Sequence, residues 1–192
     1  VIIYPEVEEL DFVGFYEVMQ SVKKIREDVQ LSVEIVGTTA PINCANGLSV
    51  LPQQIYEDVL NFDVVMIPGG RGWKQLVKNK KLLYDLRDRV SRGKLVCSVC
   101  TGAFVLAEAR LLENRQATTH WQYYKELKPY CLKVLQDRVV LDGNVITAGG
   151  VACSLDLGLK VVEMFFGSEM SAKITERLVI PSCNKSESIK YM

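Results

Sequence analysis

Short apolar runs alternate along this chain with stretches whose apolar residues recur every three to four positions. Val1–Tyr4, Leu31–Gly37, Asp63–Ile67 and Leu95–Val99 read as strands; Asp11 to about Arg26, Lys80 to Arg92 and Thr101 to Arg110 read as amphipathic helices. That alternation predicts a mostly parallel sheet with helices on both faces, a doubly wound (flavodoxin-like) α/β fold. Ile42-Asn43-Cys44 and Leu48–Leu51 flank Ala45-Asn46-Gly47, where the Asn-Gly step predicts a small β-hairpin. A short strand is expected at Gln116–Thr118 and a helix from His120. Arg138–Leu141 and Val145–Thr147 then read as strands joined through Asp142-Gly143-Asn144. Gly149-Gly150 opens an apolar helix ending near Phe166, and a last helix covers Ser168–Val179. Residues 1–182 are expected to form one domain and 183–192 a polar tail.

Composition narrows the class. With 48% apolar and 24% charged residues the chain reads as an ordinary soluble domain. Lys+Arg and Asp+Glu number 23 each, so neither nucleic acid nor an anionic membrane is an expected partner. No apolar window is long enough to span a bilayer. The abrupt start at Val1 reads as a first strand lacking a few residues. The six cysteines lie mostly in apolar strand-like or helical contexts, so they are read as reduced thiols in a cytoplasmic protein. Cys97 and Cys100 form a C-x-x-C, but Cys97 is still within a strand, unlike the thioredoxin-type motif. A zinc site would need more ligands than one His offers. No metal or cofactor is expected. Lys78–Lys81 reads as a solvated helix start, and the Asn184-Lys185-Ser186 sequon as a chance match.

The chemistry concentrates at one edge. In doubly wound sheets ligands bind at the carboxyl ends of the strands. Cys100 stands there, where Leu95–Val99 breaks into a helical pattern, a strand–turn–helix of the nucleophile-elbow kind with Gly102 licensing the turn. Backbone N–H groups at that helix start are expected to favour the thiolate. A buried structural cysteine is the alternative. Asp11, beside Glu8 and Glu9, reads as a helix N-cap on its own; at the same edge as Cys100 it becomes a proton-transfer carboxyl. Pro68-Gly69-Gly70 ends a strand and can aim N–H groups at developing negative charge, together with that of Thr101. His120 is the only histidine; it either takes part in the site or packs and caps locally. Trp121 is a pocket wall or an ordinary core aromatic.

Five segments carry a resemblance to a known family. They are Tyr4–Gly14, Ile67-Pro68-Gly69-Gly70 with Gly72, Ser98–Ala103, Ala117-Thr118-Thr119-His120-Trp121 and Arg138–Asn144. Together the chain resembles the ThiJ/PfpI (DJ-1-like) superfamily of class I glutamine amidotransferase-like folds, most closely its isonitrile hydratase branch. The resemblance implies Cys100 as nucleophile, Asp11 as acid–base carboxyl, Thr101 near the thiol and oxyanion site, and Gly70 as a backbone donor. It implies a homodimer acting on a small molecule: a lyase adding water to an isonitrile. Thr101 stands where protease-like members carry His, against proteolysis. Gly14-Phe15 replaces the hydratases' Gly-Pro, and their Pro-rich C-terminal segment shrinks to Ile180-Pro181-Ser182. The same branch resembles the sensor domains of AraC-type regulators, so ligand or redox sensing stands as the second reading. Another cysteine-dependent chemistry, glyoxal hydration or amide hydrolysis, is a third.

Overall fold

A computed structural model describes residues 1–59 and 61–181; the predicted tail 183–192, Ser182 and the Asn184 sequon lie outside the described residues. The first half runs β1 (Ile2–Ile3), α1 (Glu9–Ile25), β2 (Val36–Gly37), β3 (Ile42–Asn43), β4 (Ser49–Val50), β5 (Gln54–Ile55), β6 (Val64–Ile67), α2 (Trp73–Leu76) and α3 (Lys80–Ser91). The second half runs β7 (Leu95–Val99), α4 (Ala103–Glu108), β8 (Gln116–Ala117), α5 (Tyr124–Leu127), β9 (Lys133–Val134), β10 (Val139–Asp142), β11 (Val145–Ala148), α6 (Cys153–Phe166) and α7 (Ser168–Arg177).

Two ladders make the sheet. One has the order β10-β11-β7-β6, with β11, β7 and β6 parallel and β10 antiparallel on the edge. The other, β1-β2-β5, is parallel throughout, and β1 lies against β6. Side chains alternate between two cores, as the pleat requires. Val65, Ile67, Val96 and Val145 pack with Leu82 and Leu86 of α3 and Phe104 and Leu106 of α4. Met66, Cys97, Val99 and Ile146 pack with Val18 of α1 and Leu157 and Val161 of α6. Both faces are covered, which is why the central strands carry apolar residues at consecutive positions. Each such side chain contributes about 1.5–3 kcal/mol by leaving water.

The predicted hairpin is present as β3 and β4, paired antiparallel around residues 45–47. Asn79 accepts from the Leu82 N–H at 3.0 Å and caps α3, in line with a plain helix start at Lys78–Lys81. Some boundaries differ from expectation. Only Val36–Gly37 of the 31–37 run pairs as a strand, because its ladder partner β1 is two residues long. The helix expected from His120 is a 3-10 turn, the single turn α5, and another 3-10 turn at Lys128–Tyr130. Pro129, which lacks an N–H, sits in that last turn and stops an α-helix from continuing. Among the described residues no helix is long and apolar enough to cross a membrane.

Candidate active site

The chain leaves β7 at Val99 and turns sharply at Cys100, whose φ is +54°. A non-glycine residue in that region costs about 1–3 kcal/mol, a strain the surroundings must hold in place. They do so from both sides. The Cys100 N–H donates to the Gly149 carbonyl at 2.7 Å, and the Thr119 hydroxyl donates to the Cys100 carbonyl at 2.7 Å. Gly102 has a different part from the one expected. Its backbone is ordinary right-handed helix, so the turn does not need its freedom; the tight φ belongs to Cys100 itself. Glycine is required for proximity, because a Cβ at 102 would stand 2.3 Å from the Ile67 carbonyl oxygen and 2.8 Å from that of Pro68. Gly102→Ala is expected to cost about 1–3 kcal/mol of stability through this backbone clash, read as a lowered thermal midpoint.

Asp11 lies in the third position of α1, fully buried, and caps nothing. The helix begins two residues earlier than the polar pattern indicates, at Glu9, which turns Asp11 inward. Its Oδ2 accepts the Gly69 N–H at 2.7 Å, while Oδ1 is buried with no hydrogen-bond partner. Gly69 is the meeting point. A Cβ there would lie 2.7 Å from Cys100 Cβ, 2.8 Å from Asp11 Oδ2 and 2.8 Å from the Thr101 nitrogen. Thiol and carboxyl, far apart in sequence, thus flank one glycine.

Burial favours the neutral form of both groups. Burial pushes the Asp11 carboxyl up to about 8, against the lowering effect of the Gly69 N–H. Burial, reinforced by the Asp11 charge, pushes the Cys100 thiol up to about 12. The expected lean toward thiolate is therefore corrected: the N–H and hydroxyl of Thr101 do favour the anion, but less than burial opposes it. Below, the buried Tyr4 hydroxyl donates to the Pro68 carbonyl at 2.6 Å, and its own ionisation is strongly suppressed by burial beside Asp11 and Cys100.

Thr101 Oγ1 takes the Gly70 N–H at 3.0 Å. That donor, expected to face substrate, is spent on the threonine, whose hydroxyl in turn donates to the Gly70 carbonyl at 3.3 Å. Cys100 and Thr101 open into a cleft of about 400 Å³, walled by Glu8, Asn46, Trp73, Tyr123 and His120. His120 joins the cleft without bonding the thiol: its Nδ1 faces the Gln122 N–H at 3.4 Å, and its ring lies against Gly150. Trp121 is placed elsewhere than predicted. The residue is 66% exposed, and Trp73 and Tyr123 provide the aromatic walls instead. Trp73 is held by stacking on Phe104, with centroids 4.8 Å apart. A larger cavity of about 1000 Å³, lined by Phe15, Leu31, Phe62 and Phe166, contains none of these groups. Among the described residues, no three His, Cys, Asp or Glu side chains cluster as metal ligands.

Sequence reasoning missed Tyr4, Thr119 and Trp73. Thr119 and Tyr4 had a signal in the Ala117–Trp121 and Tyr4–Gly14 segments; Trp73 had none.

A doubly wound sheet with a strained cysteine after its central strand, and a carboxyl delivered from the first helix, defines a recognisable class. The chain belongs to the DJ-1/PfpI family, whose pattern matches residues 1–164. It is 33% identical over 177 residues to isonitrile hydratase of Pseudomonas putida, covering 92% of this chain and 75% of that one. It is 32% identical over 148 residues to the glutathione-independent glyoxalase DJR-1.2 of Caenorhabditis elegans, covering 76% and 77%. Among solved structures, Drosophila melanogaster DJ-1beta superposes with a TM-score of 0.82 at 24% identity over 94% of this chain and 96% of that one, a likeness of fold.

Proposed function

We propose that this protein is a cysteine-dependent hydro-lyase that adds water to an isonitrile to give an N-substituted formamide. The observation that carries the reading is the buried, unpartnered Oδ1 of Asp11 beside a strained Cys100 that opens on a cleft. The Cys100 sulfur attacks the terminal isonitrile carbon while a proton, held by the Cys100–Asp11 pair, is delivered to that carbon, giving a thioimidate. Asp11 then protonates the substrate nitrogen and takes a proton from the water that adds to the same carbon. Collapse forms the formamide C=O, breaks the C–S bond and returns sulfur and proton to the pair. One water is consumed, and no electrons leave the system. The Thr101 N–H and hydroxyl steady the sulfur anion at both ends of the cycle.

One feature favours this over the hydrolase chemistry of the fold: no hydrogen bond joins His120 to the thiol, so a Cys–His pair is not assembled. We further propose a homodimer through the exposed Leu10 and Val13 of α1 and the hairpin residues Leu48 and Leu51. A reducing cytoplasmic setting fits the free thiols of Cys44, Cys97, Cys100, Cys131 and Cys153.

A panel of an alkyl isonitrile, methylglyoxal and a simple amide, offered to wild type and followed by product mass, tests the activity. Formamide from the isonitrile is expected at a rate well above the other two. Lactate from methylglyoxal with no formamide overturns the hydratase reading in favour of a glyoxalase.

A further inference from the structure

Arg71 and Lys74 stand on the wall of the same cleft as Cys100. Neither makes an ion pair with any carboxylate among the described residues. Arg71 is steadied instead through Nη2, which donates to the Ala45 carbonyl at 3.1 Å. The one carboxylate on the cleft wall, Glu8, is engaged by the Asn46 side-chain amide at 2.9 Å, which Glu9 also holds at 2.6 Å. Two cations against one occupied carboxylate leave the cleft positive in a chain whose net charge is zero.

The segment carrying these cations is locked in position. Glu8 N–H donates to the Gly69 carbonyl at 2.9 Å, and a Cβ at Gly72 would stand 1.9 Å from the Pro5 carbonyl oxygen. The backbones of residues 5–8 and 69–72 are therefore in direct contact, and the cationic rim has a set position relative to the thiol. The rings of Trp73 and Tyr123 line the same cleft. A volume of about 400 Å³ suits a small molecule.

We infer that the cleft is built for a small substrate that carries a carboxylate, bound by Arg71 and Lys74 while its electrophilic carbon faces Cys100. An arginine fork takes a carboxylate by two parallel hydrogen bonds, and the lysine adds a mobile point charge. On the reading of the reaction given above, on which this inference rests, the substrate class is an isocyano acid. The apolar link between the two ends lies along Trp73 and Tyr123.

Isocyanoacetate and its methyl ester differ at the carboxylate alone, and serve as the probe pair. Wild type is expected to show kcat/KM for the anion about tenfold or more above the ester at low salt. The Arg71→Gln, Lys74→Gln double variant is expected to lower that ratio about tenfold, through KM, with Arg71→Lys restoring part of it. A wild-type preference for the ester, or a ratio untouched by the double variant, overturns the inference. Calorimetry of N-formylglycine against its methyl ester, on the Cys100→Ala protein, reads the anion site without turnover. If the anion binds more tightly and the Arg71/Lys74 double variant abolishes the difference, the anion site stands even where no isonitrile is hydrated. If isonitriles are hydrated but neither pair discriminates, the reaction stands and the anion site is wrong.

Discussion

Cys100→Ala is expected to lower kcat/KM for a simple alkyl isonitrile by about 10⁴-fold or more, with the thermal midpoint unchanged or raised. The first part follows from the chemistry: among the described residues Cys100 is the one thiol on the cleft wall, and removing a member of a reacting unit costs nearly the whole of its effect. The second follows from the backbone. Cys100 sits at a φ of +54°, held by hydrogen bonds to its backbone N–H and carbonyl, and alanine keeps both of these and the Cβ while losing only the sulfur. Circular dichroism melting beside a formamide assay separates the two effects. Loss of activity with a collapsed melting point would mean that the cysteine is structural. Normal turnover would mean that the chemistry happens elsewhere.

Asp11→Asn is expected to lower the same rate by about 10²–10⁴-fold, the usual range for a positioned proton donor. Its pH dependence has a definite sign. With the carboxyl pushed up to about 8, Asp11 keeps its proton through neutrality, so kcat/KM should be level near pH 7 and fall as pH passes about 8. Above that the pair has lost its acid, and the Asp11 charge opposes formation of the thiolate. Stability moves in step. A carboxyl whose folded pKa is raised adds stability that is complete below its unfolded value and is lost as pH climbs through the folded one. Wild type should therefore lose stability relative to Asp11→Asn from about pH 4 up to about pH 8. Urea midpoints of the two proteins across that range measure the gap. Wild-type stability that instead rises relative to Asp11→Asn with rising pH would mean that the carboxyl is ionised in the folded state.

Much of this molecule is readable from its residues. The two-faced burial of β6 and β7 is written in uninterrupted apolar runs, and the hairpin in Asn46-Gly47. The nucleophile position follows from a strand that breaks into a helix. What resisted reading was where side chains point once the elements pack. Asp11 looks like a cap because acids cluster before an apolar run; only the start of α1 at Glu9 turns it inward. Gly102 looks like a turn residue, yet it serves the close approach of the 67–68 backbone. The direction of the Cys100 shift depended on a balance between Thr101 donors and burial, and burial is a property of the packed chain. Trp121 and Trp73 are alike on paper; stacking on Phe104 holds the second at the cleft, while the first faces solvent. Where charged residues gather also escaped notice, since an overall balance of 23 against 23 hides the local excess at Arg71 and Lys74.

The account turns on a covalent bond between substrate carbon and the Cys100 sulfur, formed with the help of Asp11. Rapid acid quenching of wild type mixed with an excess of alkyl isonitrile, followed by peptide mass spectrometry, looks for that bond directly. The expected result is the mass of one isonitrile added to the peptide bearing Cys100, absent from the peptides of Cys44, Cys131 and Cys153. Steady formamide production with Cys100 unmodified at every quench time, or the adduct on another cysteine, would contradict it.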